Sequence, residues 1–155
     1  MTDDRMYDFV GFELAGEAYA IPLEHVERAI RAVAVSEIPE TPDWFAGVFN
    51  WAGQTTPVFD LRPVLRLPAS PLSVDDRLLF VRRSGRTCAL VAETNIRVIS
   101  VPSEAVVSVE EYELEPRPIR SVVRWADRIY LELDLGRLFE SVAGILSESD
   151  GRAEA

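Results

Sequence analysis

His25 and Cys88 are the side chains suited to act as base or nucleophile near neutral pH, and each residue type occurs once. Catalysis needs such groups beside partners that tune and orient them. His25 stands between Glu24 and Val26 on a predicted short helix, where a solvent-facing role accounts for it. Cys88 falls inside a predicted strand between Thr87 and Ala89. With no histidine placed for a dyad, it reads as a buried structural thiol. Asp60 and Asp134 could pair as acid and base, but each precedes a predicted helix, where an aspartate caps the N-terminus by accepting N–H bonds. The acidic run Glu110-Glu111, Glu113 and Glu115 lacks metal-loop spacing and reads as a solvated loop. Gly47 and Gly53 are hairpin glycines, and no glycine-rich phosphate cradle follows a strand. A single cysteine excludes an internal disulfide and a multi-cysteine metal site. The expectation is a protein that is no enzyme and holds no metal or cofactor.

The whole chain limits the partners. Its 155 residues suit one domain, or two very small ones around a shared core. Hydrophobic residues make up 48% and charged residues 27%, as in globular proteins. Sixteen basic residues against twenty-six acidic ones give a net charge of -10, which repels nucleic acid and anionic lipid. The acidic start Met1-Thr2-Asp3-Asp4-Arg5 is not a signal peptide, and no apolar run approaches the roughly 20 residues of a membrane helix. A cytoplasmic address without membrane insertion is expected.

The elements that must position any site are mostly short strands. Alternation at Val10, Phe12 and Leu14, a turn at Gly16-Glu17 and a strand from Ala18 to Ile21 predict a hairpin. Pro22 with Leu23, Val26 and Ile30 at helical spacing predicts a short helix to about Arg31. A strand from Ala32 to Ile38 follows, ended by Pro39 and Pro42. Further hairpins are predicted around Ala52-Gly53-Gln54, around Ser84-Gly85 and around Ala126-Asp127, with a separate strand from Ile96 to Val101. A short helix is expected from Leu61 to Leu65, and a linker near 66–76. Leu135, Leu138, Phe139, Val142 and Ile145-Leu146 predict a C-terminal amphipathic helix. Residues 1–6 and 147–155 read as flexible ends around a unit covering 7–146.

The two halves repeat each other. Val48 set on Val122 brings Trp51 onto Trp125, Ala52 onto Ala126, Asp60 onto Asp134 and Leu61 onto Leu135 without a gap. Gly16 set on Gly85 brings Ala20 onto Ala89, Glu24 onto Glu93 and Arg28 onto Arg97. Each half therefore carries about five short strands, enough for a small barrel. The fold expected is mainly β, two pseudo-repeated barrels with short helices.

The block Thr41-Pro42-Asp43-Trp44-Phe45-Ala46-Gly47-Val48-Phe49-Asn50-Trp51-Ala52-Gly53, followed by Pro57-Val58-Phe59-Asp60-Leu61-Arg62, resembles the CheW family pattern. In that pattern "TP-x-F-x-x-G-V-x-N-L-R-G" leads into "P-V-x-D-L-R". The resemblance runs from about Tyr7 to Phe139, and Tyr19, Ile21 and Val26 match as well. It implies two five-stranded SH3-like barrels, intertwined. It also implies a non-catalytic adaptor recruited to receptor arrays, coupling the cytoplasmic tips of methyl-accepting chemoreceptors to the regulatory domain of a CheA-like histidine kinase. By position, the partner contacts would be Val26, Arg28, Gly47, Asn50, Trp51, Ala52 and Gly53.

Two of these depart from the family. Ala52 stands where the family usually has arginine in the hairpin turn, and Arg28 stands where it usually has glutamate. In the second half Ala92-Glu93-Thr94-Asn95-Ile96-Arg97-Val98 replaces "V-D-x-V-x-E-V", again with arginine for an acid. These changes raise the alternative of an accessory member that has lost one contact, binding a receptor or another partner but no kinase. A small-ligand sensor using the inter-barrel cleft is a third reading, with no polar cluster to support it.

Overall fold

A computed structural model describes residues 5–93, 95–109 and 118–140. The strands are β1 Met6–Leu14, β2 Glu17–Pro22, β3 Val26–Arg31, β4 Phe45–Trp51, β5 Gln54–Phe59, β6 Arg77–Arg83, β7 Arg86–Ala92, β8 Arg97–Pro102, β9 Val106–Ser108, β10 Ile119–Trp125 and β11 Arg128–Leu133. They form two sheets, one in the order β8-β1-β2-β11-β10-β9 and one in the order β3-β6-β7-β5-β4. The first hairpin thus joins the end of the chain, while the β6–β7 hairpin joins the strands before it. Residues 135–140 are helical.

Each sheet is knit by one parallel contact, and the two are equivalent under the repeat. Glu132 lies opposite Ala20 in one, and Val58 lies opposite Ala89 in the other. The turns are built alike too. Ala15 and Gly16, Ala52 and Gly53, and Ser84 and Gly85 all have positive φ, as two-residue hairpin turns that match the strand twist require. The first turn is therefore Ala15-Gly16, one residue earlier than the glycine alone suggests.

Three expected elements differ. Leu23–His25 form one 3-10 turn, and Val26–Arg31 then run as a strand against β6 instead of continuing a helix. Val26 and Ile30 are four apart, a spacing that puts them on one side of a helix or a strand alike, and pairing with β6 decides for the strand. The strand expected from Ala32 to Ile38 is reduced to a single bridge, Ser36 with Val48. Its counterpart in the second half is the Val107–Val122 pair of β9 and β10. The helix expected from Leu61 to Leu65 is a hydrogen-bonded turn, closed by Leu65 N to Leu61 O at 2.9 Å and Leu67 N to Arg62 O at 2.8 Å. The end of the predicted C-terminal helix, the 147–155 tail and Glu110-Glu111, Glu113 and Glu115 lie outside the described residues.

The largest apolar cluster lies between the sheets. Phe12, Tyr19 and Ile21 from one meet Phe59, Leu79, Val81 and Leu90 from the other, with Leu135 and Leu138 of the helix closing it. A smaller cluster fills each sheet, around Phe9, Ile99, Val123 and Tyr130 in one and around Phe49, Leu78, Phe80 and Val91 in the other. Both faces of β1 are therefore buried from Phe9 to Phe12, while Met6, Tyr7 and Asp8 are exposed. Gly11 makes room on that strand, since a Cβ there would come within 2.7 Å of the Tyr130 ring.

Candidate partner-binding site

The seven contact candidates come from two neighbouring places. Val26 and Arg28 sit on β3, while Gly47, Asn50 and Trp51 sit on β4 and Ala52 and Gly53 form its turn. The guanidinium of Arg28 lies over the Trp51 ring, 5.5 Å from its centroid. Trp51 is half-buried, resting edge-on against Phe80 at 5.4 Å and Phe49 at 6.5 Å, so one part is core and the other is surface. Arg28, Asn50, Ala52 and Gly53 are exposed. Asn50 Oδ1 accepts from Gly53 N at 3.0 Å and holds the turn in shape.

Among the described residues no carboxylate pairs with Arg28. Its neighbour is the Trp51 face, a contact worth about 0.5–1 kcal/mol at an exposed site. The second half repeats the device, with Arg97 5.7 Å from the Trp125 centroid and Ala126 in the turn. The arginines that depart from the family pattern are thus each matched to a tryptophan beside a hairpin turn.

Gly47 and Val26 lie deeper. Gly47 is buried with φ of 141°, and an added Cβ would sit 2.4 Å from the Ser36 carbonyl oxygen. Its role in the structure is to let Ser36 bridge to Val48. Val26 is half-buried and packs against the central cluster. Trp44 packs on Phe59 at 5.5 Å as part of that core.

The groups with catalytic chemistry are dispersed. His25 Nδ1 is 3.2 Å from the Arg82 carbonyl and its side chain is partly covered, more than a solvent-facing residue would be. Burial pushes the Cys88 thiol up to about 12, leaving it protonated and inert at neutral pH. Asp134 caps the helix, accepting from Arg137 N at 3.2 Å. Asp60 caps its turn through Arg62 N at 3.0 Å and also meets the Arg62 guanidinium at 3.3 Å. Among the described residues no group of three His, Cys, Asp or Glu could hold a metal.

Among the described residues, Arg62 and Glu132 belong to five buried polar or charged ones that the expected site does not include. Arg62 is 2% exposed and lies 3.3 Å from Asp60, 4.0 Å from Asp76 and 3.5 Å from Glu93. Glu93 also accepts from Ala15 N, so this cluster ties β5, β6 and β7 to the first hairpin of the other sheet. Arg62 stood in the matched motif, and a charge set between Leu61 and the apolar Val64-Leu65 was the available signal. Glu132 is buried beside Ser121, whose Oγ donates to it at 2.6 Å. Desolvation raises its pKa, against the lowering effect of the Ser121 hydrogen bond. It shares the inward phase of Tyr130 on β11, which alternation alone could have revealed.

A family model described as the CheW-like domain matches residues 8–143. The chain belongs to this family. Chemotaxis protein CheW of Helicobacter pylori is 33% identical over 82 residues, covering 53% of this chain and 50% of that protein. This chain thus matches about half the length of that relative. Chemotaxis protein CheW of Treponema pallidum is 25% identical over 146 residues, covering 90% and 86% of the two chains. The crystal structure of the scaffolding protein TtCheW from Thermoanaerobacter tengcongensis superposes with a TM-score of 0.75 at 22% identity, over 83% of this chain and 89% of that one. That likeness establishes the CheW-like fold of two curled, SH3-like sheets. Among the described residues no helix is long and apolar enough to cross a membrane.

Proposed function

We propose that this chain is a non-catalytic adaptor of a chemosensory pathway, joining the cytoplasmic tip of a chemoreceptor to the regulatory domain of a CheA-type histidine kinase in the cytoplasm. Residues 7–146 act as one binding unit. The observation that carries this reading is the Arg28–Trp51 pair at the β4–β5 tip, a half-buried aromatic anchor with an exposed cation over it and an open turn beside it. Tryptophan and arginine in that arrangement are the residue types that dominate binding energy at protein interfaces. Holding two partners at once raises their effective concentration and couples receptor state to kinase activity without turnover. Neither the accessory alternative nor the ligand sensor is favoured by a specific observation.

Calorimetric titration against the kinase regulatory region, and separately against a receptor cytoplasmic fragment, tests the reading. Micromolar binding to both is expected, and Trp51→Ala should weaken at least one of them by about tenfold or more, the loss typical of an interface anchor. A protein that binds neither partner is not a coupling adaptor. Binding to the receptor with a silent kinase would replace this reading by the accessory one.

A further inference from the structure

Between β3 and β4 the segment Ala32-Val33-Ala34-Val35-Ser36-Glu37-Ile38 is half-buried at Ala32, Val35 and Ile38 and exposed elsewhere, and only Ser36 pairs as a strand residue does. Ser36 uses both of its main-chain groups on Val48, at 2.8 and 2.9 Å. Successive residues of a strand turn their N–H and C=O groups to opposite edges, so Val35 and Glu37 present theirs away from β4. Among the described residues, Val33, Ala34 and Val35 make no hydrogen bond through the main chain to another main-chain group. This unpaired edge borders an open cleft of about 650 Å³. The cleft is lined by the apolar Phe45, Ala46 and Val91 and by the loop carrying Leu72 and Val74. Three exposed large apolar residues of the chain, Val33, Leu72 and Val74, stand on its rim. The charges there are acidic, Glu37, Asp43 and Asp60, apart from Arg62, which is buried among carboxylates and leaves its Nε–H unpaired.

We propose that this cleft is a second docking site, which takes an extended segment of a partner protein as an added strand along Val33, Val35 and Glu37. The segment would carry apolar side chains at alternate positions and basic ones between them. Main-chain pairing supplies affinity in such an addition, and the pockets and charges beside the edge supply selectivity. The acidic rim on a chain of net charge -10 selects a basic peptide over an acidic one. Gly47 keeps the edge in place, because any side chain there would push Ser36 off β4. None of the contact candidates at the Arg28–Trp51 surface lines the cleft, so the two sites use different residues.

The test is a titration of the isotope-labelled full chain with an acetylated, amidated six-residue peptide alternating lysine and valine, followed by amide chemical shifts. Saturable shifts centred on Val33, Val35 and Glu37 are expected. The same peptide with glutamate in place of lysine should bind about tenfold more weakly or worse, as should the lysine peptide to a Glu37→Lys, Asp43→Lys double variant. Val33→Pro, at an exposed residue whose N–H is not used in the fold, removes one donor of the edge and should also weaken binding while the remaining spectrum stays that of the native chain. No shift up to the solubility limit of the peptide overturns the proposal, as does equal binding of the two peptides or a response centred on Trp51. Shifts at Val33 to Glu37 that appear on concentrating the chain alone would assign the edge to a second copy and overturn the partner assignment. Failure here leaves the kinase and receptor titrations unaffected, so the two readings fall separately.

Discussion

Glu132 is an acid in a place where its repeat partner is Val58, a buried valine. Desolvation raises its pKa in the fold, and the Ser121 hydroxyl at 2.6 Å only partly offsets that. The folded chain therefore holds this proton more tightly than the unfolded chain. The contribution of Glu132 is fully present below its unfolded pKa and is lost as pH rises through the folded value. Glu132→Gln keeps an acceptor for Ser121 and removes the buried charge. It should stabilise the fold at pH 7 by on the order of 1 kcal/mol, with the gain vanishing as the solution is acidified. Denaturant unfolding of both proteins across that pH range measures it. A variant that is less stable at pH 7 would mean the carboxylate has a partner worth more than its burial costs. At this scale the sequence was informative about chemistry and poor about depth. Cys88 was readable as an inert thiol and Asp134 as a cap, because residue type and local position suffice for those roles. Arg62 and Trp51 were not placeable, because burial of a long side chain depends on strands distant in sequence.

Hairpins are the elements this sequence specifies best, since the turn residues and the alternation on both sides act within a few residues of each other. β10 and β11 run from Ile119 to Trp125 and from Arg128 to Leu133, on either side of the turn predicted around Ala126-Asp127. The helix expected after Pro22 failed for the opposite reason. Its apolar spacing fits either periodicity, and the choice came from β6, about fifty residues away. The strand expected at Ala32 to Ile38 failed because a strand is defined by its neighbour, and only Val48 is there to meet it. The hairpin turns also hold strain. Ala52 sits at φ of 51°, a left-handed conformation that costs an alanine roughly 1 kcal/mol and a glycine little. Its side chain is exposed and hence contributes no packing that would compensate. Ala52→Gly should therefore raise stability by up to about 1 kcal/mol, less the entropy of a more flexible unfolded chain. A lower melting temperature would show that the methyl group makes a contact that outweighs the strain. Partner titrations of the same variant separate a turn kept for its shape from one kept for its surface.

The whole molecule is two repeats that have exchanged hairpins. The internal match in the sequence fixes the equivalences, but it is silent on which copy each hairpin completes. β1 and β2 pair with β8 and β11, whereas β6 and β7 pair with β3 and β5. A cut in the loop near 66–76 therefore separates each hairpin from the strands that bury it. The first fragment would hold β3 to β5 without β6 and β7, and also β1 and β2 without their neighbours. The apolar surface between the sheets, Phe12 and Tyr19 against Leu79 and Leu90, would face water in both fragments. Chains cut after Ser70 should each lack a cooperative thermal transition when alone, and should regain the native circular dichroism spectrum when mixed in equal amounts. The intact chain should melt in a single transition, because neither sheet can be lost without opening the shared core. A fragment that melts cooperatively by itself would mean that one sheet closes with the hairpin of its own half, contrary to the exchange. Such an exchange has a consequence for an adaptor: the surfaces at the two hairpin tips, Arg28–Trp51 and Arg97–Trp125, rest on the separate clusters of two sheets that the central apolar core holds together. Partners bound at both tips would therefore meet a rigid body of fixed geometry, which a chain of two independent barrels on a linker would not provide.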